Sequence, residues 1–158
     1  MTHRRFGPVG LQVPAAAPAV DRNGLEVLDR PECLRLLASR NIGRLGVWGP
    51  AGSIVVPVNY VLAGAEVVVG TALDSAIHTT LGDQVVAFEV DDVDPAYEWG
   101  WSVLVRGRGR HLEDPAEVAR AERLPLRSWG PGQRRRFTAI PTTEVSGRRL
   151  GLLGVAQR

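Results

Sequence analysis

"IGRLGVWGPAGSIVVPVNYVLAGAEVVVGT", residues 42–71, contains three apolar segments separated by two tight turns. The first, 42–48, sets Ile42, Leu45 and Val47 among small or charged neighbours. The second, 53–62, and the third, 67–71, are rich in valine, the residue type best suited to a pleated surface. "GPAG" (49–52) and "AGAE" (63–66) are each only four residues long. Connections this short join antiparallel strands, because a parallel crossover needs a dozen residues or more. Residues 42–71 therefore predict an antiparallel meander. Pro57, inside the second strand, has no N–H to give, which points to an edge or to a face turned toward something other than a neighbouring strand.

Working outward, "LDRPECLRLLAS" (28–39) predicts a helix, with Asp29 as N-cap, Glu32 completing a capping box and Pro31 in the first turn. A short helix is expected after Asp74 or Ser75, then a strand over 84–90 and an acidic loop, "DDVDPAYEWG". A long strand over 101–114 is kinked by Gly107 and Gly109. A helix follows over 115–124 with Asp114 as its cap, then a loop through Arg136 and a last strand over 137–150. Many strands on short turns, with three short helices, argue for a mainly β fold, a small antiparallel barrel with peripheral helices. Residues 1–24, rich in Pro, Gly and Ala, read as a flexible arm preceding one domain over 25–158.

The composition excludes several chemistries. All 19 basic residues are arginine, so neither a Schiff-base lysine nor a phosphate-loop lysine is possible. A single cysteine, Cys33, rules out a disulfide framework and fits a reducing, cytoplasmic location. The three histidines, His3, His78 and His111, lack metal-ligand spacing, so no metal is expected. No apolar run approaches a membrane span. The net charge is small at +2. The arginines of "RGRGRH" and "GQRRRF" are not interleaved with aromatics, so they read as solvated surface rather than a nucleic-acid site. Glu89, Asp91 and Asp92 read as a solvated acidic strand end, and His78 as a partly exposed helix residue. Trp99 and Trp101 straddle Gly100 and project to one side, as core or interface packing.

"VVVGTALDSAIHTTLG" (67–82) runs from strand to helix through a turn carrying Thr71, Asp74 and Ser75. Hydroxyls at such a turn suit a phosphate. The ordered set "GRLGVW", "VVPVNYVLAGAEVVVGTALDSAI", "VVAFEVDDVD", "GWSVLVRGRGRHLEDPAE" and "LRSWGPG" resembles the pyridoxamine 5′-phosphate oxidase-like flavoproteins over about residues 25–150. It is most similar to the small bacterial branch that includes nitroimidazole-reductase-like proteins.

That resemblance implies a six-stranded split β-barrel, a homodimer, and FMN in two interface clefts. It implies further that Pro57, Val58, Asn59 and Tyr60 run along the isoalloxazine ring, largely through backbone. Thr71 and Ser75 would meet the ribityl-phosphate, with Ala76 beside them. Trp101 and Ser102 would approach from the partner subunit, and Trp129 would cover the site. The implied activity is hydride or electron transfer to a small molecule, with no catalytic side chain assigned. Family members carry basic residues directly after the serine, where this chain has Ala76 and Ile77. The missing charge then comes from elsewhere, with Arg44, Arg106 and Arg108 as candidates, or FMN binds weakly. A deazaflavin reductase and a binding module without tight flavin binding are the alternatives.

Overall fold

The computed structural model describes residues 18–72, 76–81, 83–127 and 135–151. The strands are β1 (Glu26–Leu28), β2 (Ile42–Gly49), β3 (Gly52–Ala63), β4 (Glu66–Ala72), β5 (Val85–Asp94), β6 (Trp99–Arg108), β7 (Arg110–His111), β8 (Arg135–Pro141) and β9 (Glu144–Leu150). The helices are α1 (Arg30–Ala38), α2 (Ala76–Leu81) and α3 (Pro115–Glu122). Every pairing is antiparallel, in the order β1-β9-β6-β5-β2-β3-β4-β8-β7. Gly52 and Gly64 take positive φ angles of 111° and 61° in the two predicted turns, a region that costs glycine nothing.

Nine segments replace the expected six strands for two reasons. Two long strands are each bent, and β1 is an addition to the edge of β9. The long strand 99–111 bends at Gly109, so its first part pairs with β5 and its end pairs with β8. The strand 135–150 bends at Thr142: β8 pairs with β4, and β9 pairs with β6. The sheet thereby returns on itself as a ring of six long strands. The glycines at the bend are required by close packing. A Cβ at Gly107 would lie 2.7 Å from the Pro141 carbonyl oxygen, and one at Gly109 3.0 Å from that of Leu81.

The interior is apolar: Leu45, Val58, Tyr60, Val67, Val69, Phe88, Val103, Val105 and Ile140 are all buried in one cluster. The Tyr60 and Phe88 rings meet edge to face at 4.8 Å. Cys33, Leu36 and Leu37 of α1 and Leu81 of α2 join the same cluster. On the outer face of β4 and β8, α3 covers Val68 and Phe137 with Ala121.

The acidic stretch 91–94 is strand rather than loop, because cations neutralise it. Arg44 on β2 bonds both Glu89 (3.1 Å) and Asp91 (2.8 Å), and Arg40 holds Asp92. That neutralisation lets β5 extend to Asp94 against Trp99, so β6 begins two residues before the predicted strand. Arg135 and Arg136 likewise belong to β8 rather than to a loop.

Asp29 caps α1 as predicted, accepting from the Glu32 N–H at 2.8 Å. The capping box is not completed, because the Glu32 carboxylate accepts from arginines and not from the Asp29 N–H. That carboxylate is bonded to Arg35 at 2.7 Å and to Arg149 at 3.4 Å. The Arg35 hydrogen bonds lead in pulling the Glu32 carboxyl down from 4.5 to about 2, against its partial burial. A depressed carboxyl stabilises the fold above its unfolded value, and the contribution is lost as pH falls through the folded one. Stability measured by urea unfolding is therefore expected to fall between about pH 4.5 and 2. Glu32→Gln should flatten that slope, and equal slopes in both proteins would refute the assignment.

Candidate functional site

β3 changes partner in mid-strand. Its first part, Gly52–Asn59, pairs with β2, and its second, Tyr60–Ala63, pairs with β4. The β4 residues beyond Val69 pair with β8 alone: Gly70 with Phe137, Thr71 with Arg136, Ala72 with Arg135. The ring is thus split between residues 53–59 of β3 and the end of β4, leaving an edge of peptide groups free to meet a ligand. Pro57 stands exposed in this part of β3, where its missing N–H interrupts no second ladder. Val58 and Tyr60 turn into the core, and the Tyr60 hydroxyl donates to the Leu37 carbonyl. Its phenol is held far above its ordinary value by burial. Asn59, on the opposite face, is also buried. At Val58, Asn59 and Tyr60 it is therefore the backbone rather than the side chain that is available to the split.

At the end of β4, Thr71 is 6% exposed, and its hydroxyl has no hydrogen-bond partner. A buried, unsatisfied hydroxyl costs about 1–3 kcal/mol, which an acceptor entering the split would recover. Around it lie groups from three further elements. Arg136 of β8 is its register partner. Thr138 of β8, fully buried, lies 3.0 Å from His111 Nδ1 on β7. His78 of α2 stacks on His111 with ring centroids 4.1 Å apart and planes inclined at 39°. Burial holds His78 below its ordinary value, helped by the charges of His111 and Arg136. The chain therefore brings a free hydroxyl, two imidazoles and a guanidinium to one end of the barrel.

The remaining predicted residues lie elsewhere. Trp101 and Ser102 stand on β6, separated from β3 by β5 and β2. The Trp101 ring is 3% exposed in the core, with the Arg40 guanidinium 5.9 Å from its centroid. Ser102 is half-buried on the other face. Within one protomer neither reaches the split. Ala76 opens α2. Ser75 and Trp129 lie outside the described residues. The arginines suggested as charge donors are all engaged: Arg44 with Glu89 and Asp91, Arg106 with Glu144, Arg108 with Asp83. Arg136, which the sequence placed on loop surface, and the His78–His111 stack were missed. Their only signal was that Arg136 precedes Thr138 by two on the strand that pairs with "VVVGT".

The outer face of β2, β3 and β5 carries an apolar depression of about 310 Å³, floored by Gly46 and Ala87 and rimmed by Trp48, Val55, Val85 and Arg106. Trp48 is 71% and Val55 67% exposed. Among the described residues no three His, Cys, Asp or Glu side chains gather to hold a metal ion. Nor is any described helix long and apolar enough to cross a membrane.

The pyridoxamine 5′-phosphate oxidase family profile matches residues 29–149, most of the chain and every strand except β1 and the last residue of β9. The chain belongs to this family. It is 36% identical over 140 residues to the uncharacterized protein Rv0080 of Mycobacterium tuberculosis, covering 85% of this chain and 91% of that one. It is 32% identical to the FAD binding protein of Mycobacterium smegmatis, whose structure superposes with a TM-score of 0.68 over 78% of this chain and 96% of that one. An FAD-binding protein of Mesorhizobium loti, 24% identical, shares the fold at a TM-score of 0.66 over 80% and 99% of the two chains. The split barrel is thus the family's own fold, and the family resemblance seen in the sequence holds.

Proposed function

We propose that the protein is a cytoplasmic, flavin-binding oxidoreductase that uses FMN and passes hydride or electrons to a small molecule. The observation that carries this reading is the split itself: a free backbone edge at 53–59 leading to the unpartnered Thr71 hydroxyl. These groups fit a flavin. A flat ring can lie along peptide groups, and a phosphate oxygen can accept from the buried hydroxyl. Bound there, the flavin would supply the redox centre, and the protein would bind and orient it. In this assignment Pro57, Val58, Asn59 and Tyr60 flank the ring, and Thr71, Ser75 and Ala76 surround the phosphate. Ser102 and Trp129 take their places through a second copy of the chain, which would cover the apolar face around Trp48 and Val55, while the Trp101 ring stays in the core of its own protomer beneath Ser102. FAD is the second reading, favoured by the relative from M. smegmatis.

Titration of the purified protein with FMN, FAD and a deazaflavin, read by flavin fluorescence, tests this proposal. FMN or FAD should saturate, and light scattering should give twice the chain mass of 17.1 kDa. Failure of every flavin to bind at high micromolar concentration would remove the enzyme reading. Thr71→Val is expected to weaken FMN binding while raising the stability of the flavin-free protein by about 1 kcal/mol, since it deletes a buried hydroxyl without a partner. A variant that loses stability would show that the hydroxyl has a structural role instead.

A further inference from the structure

We infer that the outer face of β2, β3 and β5 is a proton-linked interface between two copies of this chain, with Glu89 taking up one proton per protomer as the face is covered. This rests on the reading above that a second copy covers Trp48 and Val55, and it names what regulates that contact.

A two-fold interface is complementary to itself, so knob and hollow have to lie on one patch. This face carries both. Trp48 stands 71% exposed on the rim of the depression of about 310 Å³, whose floor is Gly46 and Ala87. Packing does not demand that hollow, since a Cβ at Gly46 would find only ordinary contacts, the nearest at 3.5 Å. Two copies related by a two-fold axis each set an indole ring into the other's hollow, beside the Arg106 guanidinium that lines it.

Two residues along the same strands from that floor lies a cluster of charge. Arg44 pairs with Glu89 as Gly46 pairs with Ala87, so all four share the outer face. One guanidinium nitrogen, Arg44 Nη1, donates to Glu89 at 3.1 Å and to Asp91 at 2.8 Å. Two carboxylates thus share one cation. In the single protomer water makes up the difference, because the Glu89 and Asp91 side chains are 30% and 36% exposed. Covering the face removes that water and leaves the trio with one net negative charge, which is costly at low dielectric. Among the described residues, those against Glu89 are Arg44 from β2, Asp91 from its own strand and the apolar Leu104 from β6. Arg106, two residues along β6, is held by Glu144 of β9. Glu89 is the member that takes the proton, being the less exposed carboxylate and the one farther from Arg44. Burial already raises its carboxyl above the ordinary 4.5, Asp91 adds to this, and Arg44 opposes it.

The dimer therefore binds more protons than two separate protomers, and association tightens as pH falls through the raised Glu89 values. With a shift of about one pH unit at each of two symmetric sites, the dissociation constant should rise about a hundredfold from pH ~5 to pH ~8. Sedimentation equilibrium of the full chain over that range tests this in the wild type, Glu89→Gln, Asp91→Asn and Trp48→Ala. Glu89→Gln keeps a neutral acceptor for Arg44, so it should associate at the alkaline end as tightly as the wild type does at the acid end. Asp91→Asn leaves Arg44 to Glu89 alone and should move the transition to lower pH. Trp48→Ala should weaken association at every pH and keep the slope. A wild-type dimer with one dissociation constant across the range, a Glu89→Gln protein with the wild-type slope, or an unmoved transition in Asp91→Asn overturns the proton linkage while the covered face stands. A Trp48→Ala dimer as tight as the wild type, or a chain that is a monomer throughout, overturns the covered face and the linkage with it.

Discussion

Gly100→Ala is expected to cost about 3 kcal/mol or more, enough to leave little folded protein at room temperature. A Cβ there would lie 2.5 Å from the Asp92 carbonyl oxygen and 2.9 Å from the Val93 Cα, both backbone atoms of the paired strand β5. Neither atom can rotate away, so relief requires separating β5 from β6, the ladder that holds one side of the ring. Gly46→Ala is the control. Its Cβ would meet the Ala87 oxygen at 3.5 Å, an ordinary contact, and should cost less than about 1 kcal/mol. Urea unfolding of both variants decides the point. A loss below about 1 kcal/mol for Gly100→Ala would mean that the two strands are not packed this closely.

Trp101→Ala is expected to cost about 3–5 kcal/mol, in the flavin-free protein as much as in the loaded one. The ring is buried in the core and carries the Arg40 guanidinium on its face, a contact worth about 0.5–1 kcal/mol at an exposed site. Trp101→Phe keeps most of the apolar area and should keep the fold. Unchanged stability of the flavin-free Trp101→Ala protein, together with lost flavin affinity, would mark the ring as a ligand contact rather than core.

The meander 42–71 was legible because its turns are short and glycine-marked, and the caps at Asp29 and Asp114 because they act within one helical turn. What escaped reading depends on distant partners. β1 is three residues with no pattern of its own and exists because β9 pairs with it. Residues 91–94 read as loop because acidic residues disfavour strands, a preference that Arg40 and Arg44 reverse from another part of the chain. Residues 137–150 read as one strand, and the bend at Thr142 shows only in its contacts. The Thr142 N–H and hydroxyl both donate to the Ala65 carbonyl, while Arg30 bonds the Thr142 carbonyl and hydroxyl.

The site divides in the same way. Thr71 and the 57–60 strand announced themselves through local motif and through proline. His78, His111 and Arg136 come from a helix, a two-residue strand and a strand entrance that only the β4–β8–β7 pairings assemble. No local window contains them together.

During synthesis the ring stays open until residues 135–150 emerge, since β8 joins β4 to β7 and β9 gives β1 its strand partner. A nascent chain that ends before residue 135 therefore exposes two bare edges, β4 and the β6–β7 strand, of the kind that seek other chains. Aggregation competes hardest with folding in that interval. The final strand sets the moment at which the protein becomes safe from its own neighbours on the ribosome.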